Sequence, residues 1–264
     1  MKTWTTQKIR AMKGRQKIAC LTAYDCATAR LIDRAGVPLI LVGDSLAMTM
    51  LGYDTTLPVT VDQMLHHTAA VARGVTSALV VADMPFLSFQ VSVGEAIANA
   101  GRFLKEAGAD AVKIEGGRIR AETVRGLVAN GIPVLGHVGM TPQSVHAFGG
   151  FKVQGRHNAD AQAVLDDARA LDEAGVFGIV VECVPAALAA EITAAVAVPT
   201  IGIGAGAACD GQVLVTHDLL GIHTGVAPRF VRRYAEVGDT MLRAFEAYRH
   251  DVEAGVFPGP EHSF

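Results

Sequence analysis

Six aliphatic runs in this chain each close on a residue that can carry charge or a proton. "KIACLTAYD" closes on Asp25, "LILVGD" on Asp44, "ALVVAD" on Asp83, "AVKIE" on Glu115, "IPVLGH" on His137 and "GIVVE" on Glu182. A lone Asp after such a run reads as a helix N-cap. Its recurrence reads as chemistry placed at the carboxyl ends of strands, where barrel enzymes carry their active sites. Like charges gathered on one rim destabilise a fold unless a cation or protons offset them. Asp44, Asp83 and Glu115 offer hard oxygen donors with no cysteine or histidine spacing, a set that suits Mg²⁺. Capping of the next helices by Asp44 and Asp83 is the competing reading.

Strand alternation puts Lys113 and Glu115 on one face of their strand and Val112 and Ile114 on the other. A lysine facing a barrel interior needs an anion to offset its desolvation. That anion is either a core carboxylate or an acidic substrate. Glu182 ends an apolar strand; desolvation raises a carboxylate's pKa and suits it to take a proton, though a salt-bridged structural role fits as well. His137, in "GHVG", is a structural donor or a contact for a substrate oxygen. "GIGAGAACDGQ" has the position of a barrel phosphate loop, or else its glycines permit tight packing. His66 and His67 are adjacent on a predicted helix, face different ways and read as ordinary helix residues.

These positions require a particular frame. Between the aliphatic runs lie Ala-rich helical segments such as "GEAIANAGRFLKEAGA", and several close on glycine: Gly36, Gly108, Gly131 and Gly175. Glycine is the favoured left-handed helix stop. Strands alternating with helices give βαβ units and a parallel sheet. With "VPTIGIGAG" and "GQVLVTH" the strand count approaches eight. The expected architecture is α/β, a single (β/α)8 TIM barrel over residues 1–264. An N-terminal cap covers about 1–17, and a C-terminal helix and tail about 227–264. An open doubly wound sheet is the alternative, without the early Gly-rich turn of a dinucleotide-binding form.

Composition narrows the function classes. The chain has 264 residues, half of them hydrophobic, and a net charge of −3. No bulk charge favours nucleic acid or an acidic membrane surface. Cys20, Cys26, Cys183 and Cys209 show no metal or disulfide spacing and read as reduced cytosolic thiols. The uncharged run Ile192–Cys209 is long enough to span a membrane, but Pro199 and the following glycines divide it into a helix end and a strand. Residues 1–17 carry six basic and no acidic side chains; they read as a cap on the fold rather than a transit peptide.

The strings "LTAYD", "LVGDSLAMTMLGYDTTLPVTVDQMLHHTAAVARG", "VVADMPF", "VKIEGG", "PVLGHVGMTPQSV", "FGGFKVQGR", "VVECVP", "IGIGAGAACDGQVLVTHDLLG" and "PGPEHSF" resemble the ketopantoate hydroxymethyltransferases. The likeness runs from about Ile18 to the C-terminus. Ala47, usually Gly in the family, and Met50-Leu51 depart from it, at no proposed ligand. The resemblance implies a (β/α)8 enzyme that moves a hydroxymethyl group from 5,10-methylenetetrahydrofolate to 3-methyl-2-oxobutanoate, giving 2-dehydropantoate. It implies Mg²⁺ on Asp44, Asp83 and Glu115, with Asp44, Ser45, Asp83 and Lys113 at the keto acid and Glu182 as proton acceptor. It also implies a cytoplasmic homodecamer.

The chemistry agrees with the residues. A 2-oxo acid chelates Mg²⁺, Lys113 balances its carboxylate, and the metal stabilises the enolate left when a base removes the C3 proton. A Mg²⁺-dependent C–C bond enzyme of the phosphoenolpyruvate mutase and isocitrate lyase type is the nearest alternative, although the lyases' K-K-C-G-H motif is absent. A non-catalytic metabolite-binding barrel is a further one. The segment 228–255 has helical spacing, and the polar, Pro-rich tail after it is expected to meet a neighbouring subunit.

Overall fold

The computed structural model describes residues 2–222 and 228–264. Met1 and Ala227, the first residues expected of the two terminal segments, lie outside the described residues. The chain forms two compact units, Met1–Val215 and Thr216–Phe264. The second begins ahead of the boundary near 227 read from the sequence.

The first unit opens with helix α1 (Thr6–Ala11) and runs through strand β1 (Ile18–Thr22), α2 (Cys26–Arg34), β2 (Leu39–Val42), α3 (Leu46–Thr49), α4 (Val61–Gly74) and β3 (Leu79–Asp83). It continues with α5 (Val93–Lys105), β4 (Ala111–Glu115), α6 (Ala121–Ala129), β5 (Val134–Gly139), α7 (Val145–Phe148), α8 (Asn158–Ala174), β6 (Gly178–Glu182), α9 (Ala186–Ala195), β7 (Thr200–Ile203) and β8 (Gly211–Leu214). The eight strands pair in sequence order, all parallel, and β8 closes on β1. This is the expected barrel. Gly36, Gly108, Gly131 and Gly175 all have positive φ, as helix stops require.

One crossover departs from the (β/α)8 expectation: no helix separates β7 from β8. Residues 204–210 make the return alone. Seven extended residues reach at most about 25 Å, and a four-residue strand rises only about 13 Å, so the short link suffices. "GIGAG" is therefore a crossing segment. Gly206, at φ 80°, packs where a side chain would press on Ala186 Cβ, 2.7 Å from it, which supports the packing reading of these glycines.

Alternation sorts the strand residues into two layers. Ile40, Val42, Val80, Ala82, Val112 and Ile114 pack outward against the helices. Leu39, Leu41, Leu79, Val81, Ala111, Leu135, Val180, Ile201 and Val213 fill the interior, together with Ile9 and Met12 from α1 and the turn after it. The N-terminal segment thus plugs the amino end of the barrel.

That end is also stapled by aspartates. Asp33, in the last turn of α2, accepts hydrogen bonds from the backbone of Thr76, Ser77 and Ala78 just ahead of β3. Asp172 in α8 does the same for Ala197 ahead of β7. Asp110 before β4 accepts from Val80 N in β3, and Asp210 before β8 from Thr200 N in β7. The same pair of staples recurs four strands later. Lys2 and Lys13 tie the N-terminal segment to Asp110 and Asp210, at 2.6 and 3.0 Å.

The second unit holds α10 (Thr216–Leu219) and α11 (Val237–Glu253). The helix expected over 228–255 starts only at Val237. No residue of α11 is buried, and Met241, Phe245, Tyr248 and Val252 form an exposed stripe at helical spacing. Among the described residues no helix is long and apolar enough to cross a membrane.

Candidate active site

The alternation that buries Leu79 and Val81 carries Asp83 inward at the carboxyl end of β3. The same parity runs Ala111, Lys113, Glu115 along β4, then Leu135 to His137 on β5 and Val180 to Glu182 on β6. Cross-strand register sets Asp83 beside Lys113, Glu115 beside His137, and Gly139 beside Glu182. Asp44 joins them from the turn after β2, where its backbone N–H donates to Asp83 Oδ2 at 3.3 Å. Asp44, Asp83, Lys113, Glu115 and His137 are all buried. The structure brings the expected set together, with one exception.

The exception is Asp25. Its strand ends at Thr22, and Asp25 caps α2, accepting from Thr28 N at 2.8 Å and Thr28 Oγ1 at 2.7 Å. Capping does not explain Asp44 or Asp83: α3, the helix after Asp44, has Ser45 at its N-cap and no side-chain cap bond, and α5 is capped by Ser92.

Lys113 Nζ lies 2.7 Å from both oxygens of Asp83 and 3.7 Å from Glu115 Oε1. Burial alone lowers an ammonium's pKa; here Asp83, Glu115 and Asp44 outweigh it and raise it, so Lys113 stays charged. Burial, Asp83 and Glu115 together push Asp44 well above the carboxylate range. Burial and Glu115 raise Asp83 against the pull of Lys113. Glu115 goes the other way: against burial, Lys113 and His137 lower its pKa.

His137 bridges the two sides of the site. Its Nδ1 lies 3.5 Å from Glu115 Oε1 and its Nε2 3.3 Å from Glu182 Oε2. Burial and Lys113 favour the neutral ring, but the two carboxylates prevail and push its pKa up to about 9. These are charge contacts at long range, and among the described residues both ring nitrogens and Glu115 Oε1 have no hydrogen-bond partner. Glu182 keeps 18% of its side chain exposed, against 2–3% for Asp83 and Glu115. Glu182 thus stands between a buried imidazole and solvent. Its neighbour Cys183 adopts φ 47°, unusual for a residue with a side chain. Backbone bonds from Cys183 N to Ile203 O and from Gln154 N to Cys183 O hold that bend at 2.9 Å each.

Ser45 Oγ lies 2.9 Å from the hydroxyl of buried Tyr24, and a side chain at Gly43 would sit 2.7 Å from that Oγ. His67 Nδ1 meets Tyr24 O at 2.7 Å, so this histidine supports the site's frame rather than facing it. Gln143 was not legible as a site residue. It lies in a single 3-10 turn, Pro142–Ser144, with no periodicity to mark it. Its backbone N–H donates to Glu115 Oε2 at 3.0 Å, and its Nε2 to Asp44 Oδ2 and Met84 O at 2.9 Å each. The only sequence signal is its place just past a strand whose His137 points inward.

The site fits a hard cation in charge and donor type. Three carboxylates face one ammonium, Asp44 is held high by its acidic neighbours, and Glu115 Oε1 lacks a donor. Among the described residues no three acid, histidine or cysteine side chains close into a ready-made cage, because Lys113 lies between the acids.

The ketopantoate hydroxymethyltransferase family model matches residues 3–260. A 3-methyl-2-oxobutanoate hydroxymethyltransferase from Syntrophus aciditrophicus (strain SB) is 58% identical over 98% of this chain and 96% of its own length. One from Moorella thermoacetica is 57% identical over 98% and 97%. A crystal structure of phosphonopyruvate hydrolase with oxalate and Mg²⁺ superposes with a TM-score of 0.61 at 15% identity, over 99% of this chain and 93% of that one; this likeness shows a shared fold. The chain belongs to the ketopantoate hydroxymethyltransferase family and is a hydroxymethyltransferase.

Proposed function

We propose that the chain transfers a hydroxymethyl group from 5,10-methylenetetrahydrofolate to 3-methyl-2-oxobutanoate, giving 2-dehydropantoate for pantothenate biosynthesis. The observation that carries this reading is the buried ammonium of Lys113 among three acids, with Glu182 across the His137 bridge. Lys113 provides a fixed positive charge for the keto acid's carboxylate, and the Ser45 hydroxyl, steadied by Tyr24, a hydrogen bond. Asp44, Asp83 and Glu115 would hold Mg²⁺, which when bound supplies positive charge opposite the oxygens of the keto acid. Glu182 takes the C3 proton, and the carbon nucleophile so formed bonds to the methylene carbon of the folate. One water supplies the hydroxyl oxygen as both C–N bonds to that carbon break and tetrahydrofolate leaves. The partial exposure of Glu182 gives its proton a way out to solvent. His137, charged between Glu115 and Glu182, keeps the carboxylate of Glu182 turned into the site. Exposed Met48, Met50 and Tyr53 after β2 and Phe86 and Leu87 after β3 offer apolar surface for the flat ring of a folate at the barrel mouth.

The same reading includes assembly as a cytoplasmic homodecamer, supported by the uncovered apolar stripe of α11. The test is direct: protein, Mg²⁺, 3-methyl-2-oxobutanoate and methylenetetrahydrofolate are mixed and product is followed by mass. Formation of 2-dehydropantoate that depends on the folate supports the assignment. Turnover of a 2-oxo or phosphono acid without folate would replace it with the mutase and lyase reading.

A further inference from the structure

We infer that Gln143 is a positioning residue that fixes the Asp44 carboxylate for cation binding; this rests on the reading of Asp44 as a ligand. Four hydrogen bonds define Gln143. Its Nε2 donates to Asp44 Oδ2 and to Met84 O, its Oε1 accepts from Gln90 Nε2 at 3.1 Å, and its backbone N–H donates to Glu115 Oε2. The amide group is therefore fully committed. Met84 O and Gln90 set its orientation, and that orientation leaves one N–H aimed at Asp44.

The arrangement has a physical purpose. Asp44 lies beyond the end of β2, so no strand register holds its side chain. Its neighbours Asp83 and Glu115 repel it, and Lys113 pairs with Asp83 and Glu115 instead. Among the described residues, the hydrogen bond from Gln143 is the one neutral anchor of the Asp44 carboxylate that would survive arrival of a cation. It occupies Oδ2 and leaves Oδ1 to a ligand. Through its backbone the same residue also holds Glu115, using an N–H that a short helical turn leaves free at its start. One residue on the β5 loop thus spaces two acids that come from β2 and β4. Hydrogen-bond partners of ligating carboxylates typically contribute about 10–100-fold to metal affinity.

The experiment measures Mn²⁺ binding to metal-free protein by calorimetry for wild type, Gln143→Met, Asp44→Asn and the double variant, with melting temperatures in EDTA. Methionine keeps the volume but donates nothing, and the backbone contact to Glu115 stays. Gln143→Met should bind Mn²⁺ about 10–100-fold more weakly, and the penalty should largely vanish in the Asp44→Asn background. Gln143→Asn, one methylene short of Asp44, should show a smaller loss in the same direction and serves if the methionine variant does not fold. Wild-type affinity in a folded Gln143 variant overturns the inference, and so does a penalty that persists undiminished without the Asp44 charge. Unchanged affinity in Asp44→Asn would instead sink the ligand reading itself.

Discussion

Both ends of the barrel carry aspartates, and they are held in opposite ways. At the amino end Asp33 and Asp210 are surrounded by donors. Asp33 takes three backbone N–H groups and the Thr76 hydroxyl, and Asp210 takes Gly14 N, Thr200 N and Lys13 Nζ. Despite some burial, those bonds lower both pKa values. At the carboxyl end Asp44 and Asp83 face other acids, and their pKa values rise. One end spends its carboxylates on joining segments to strands. The other keeps them short of partners, and that deficit is what a cation and an anionic substrate would meet. Stability and chemistry are thus separated along the barrel axis, as is usual in this architecture.

The separation can be broken most severely at the buried Lys113–Asp83 ion pair. Lys113→Met strips Asp83 of its ammonium and should destabilise metal-free protein by about 3–5 kcal/mol, since it leaves a buried charge uncompensated. It should also raise KM for the keto acid. Urea unfolding and steady-state kinetics read the two effects, and an unchanged KM would detach Lys113 from the substrate.

At the opposite end, Asp210→Asn removes the charge that holds Thr200, Gly14 and Lys13. Hydrogen bonds to charged groups contribute about 1.5–3 kcal/mol, so the unfolding free energy from urea denaturation should fall by roughly that amount. Turnover at a temperature where the variant stays folded should not change. A lost kcat with intact stability would reverse the division of labour.

Mg²⁺ should stabilise the folded state, by about 2.7 kcal/mol at one hundred times its dissociation constant. Asp44→Asn should abolish most of that gain while making metal-free protein more stable, because a buried carboxyl whose charge Asp83 and Glu115 repel is replaced by a neutral amide. Thermal melts with and without EDTA test both statements. An Asp44→Asn variant less stable than wild type in EDTA would show that Asp44 is already satisfied.

The smallest effect lies on the acid limb. Asp33 and Asp210 have depressed pKa values when folded, so their contribution is complete above the unfolded value of about 3.9. It is lost as pH falls through the folded value. Asp33→Asn should flatten stability against pH below about 4 and leave it parallel to wild type above 6. A slope unchanged below about pH 4 would mean that Asp33 keeps its ordinary pKa in the folded state.

Much of the site was legible because period-two alternation is strict. Once Leu79, Val81, Ala111 and Leu135 are taken as interior, Asp83, Lys113, Glu115 and His137 follow by parity alone. Asp25 misled because "IACLTAYD" reads identically whether the strand stops at Thr22 or runs on, and only the hydrogen bonds to Thr28 decide. The missing helix between β7 and β8 was hidden by the glycines of 202–206, which fit a ligand loop and a tight crossing equally. Gln143 and the stapling aspartates left no trace, because a polar residue in a turn or at a helix end carries no period. Their partners are distant in the chain: Gln143 lies 99 residues from Asp44.

The central claim is that the carboxyl end of the barrel enolises a 2-oxo acid with Glu182 as the base. The measurement is loss of the C3 proton of 3-methyl-2-oxobutanoate in deuterated water, followed by NMR with Mg²⁺ and no folate, for wild type and Glu182→Gln. Wild type should exchange that proton, and the variant should be slower by about 10²- to 10⁴-fold while still binding the keto acid. Exchange by the variant at the wild-type rate would contradict the claim and move the base to another group.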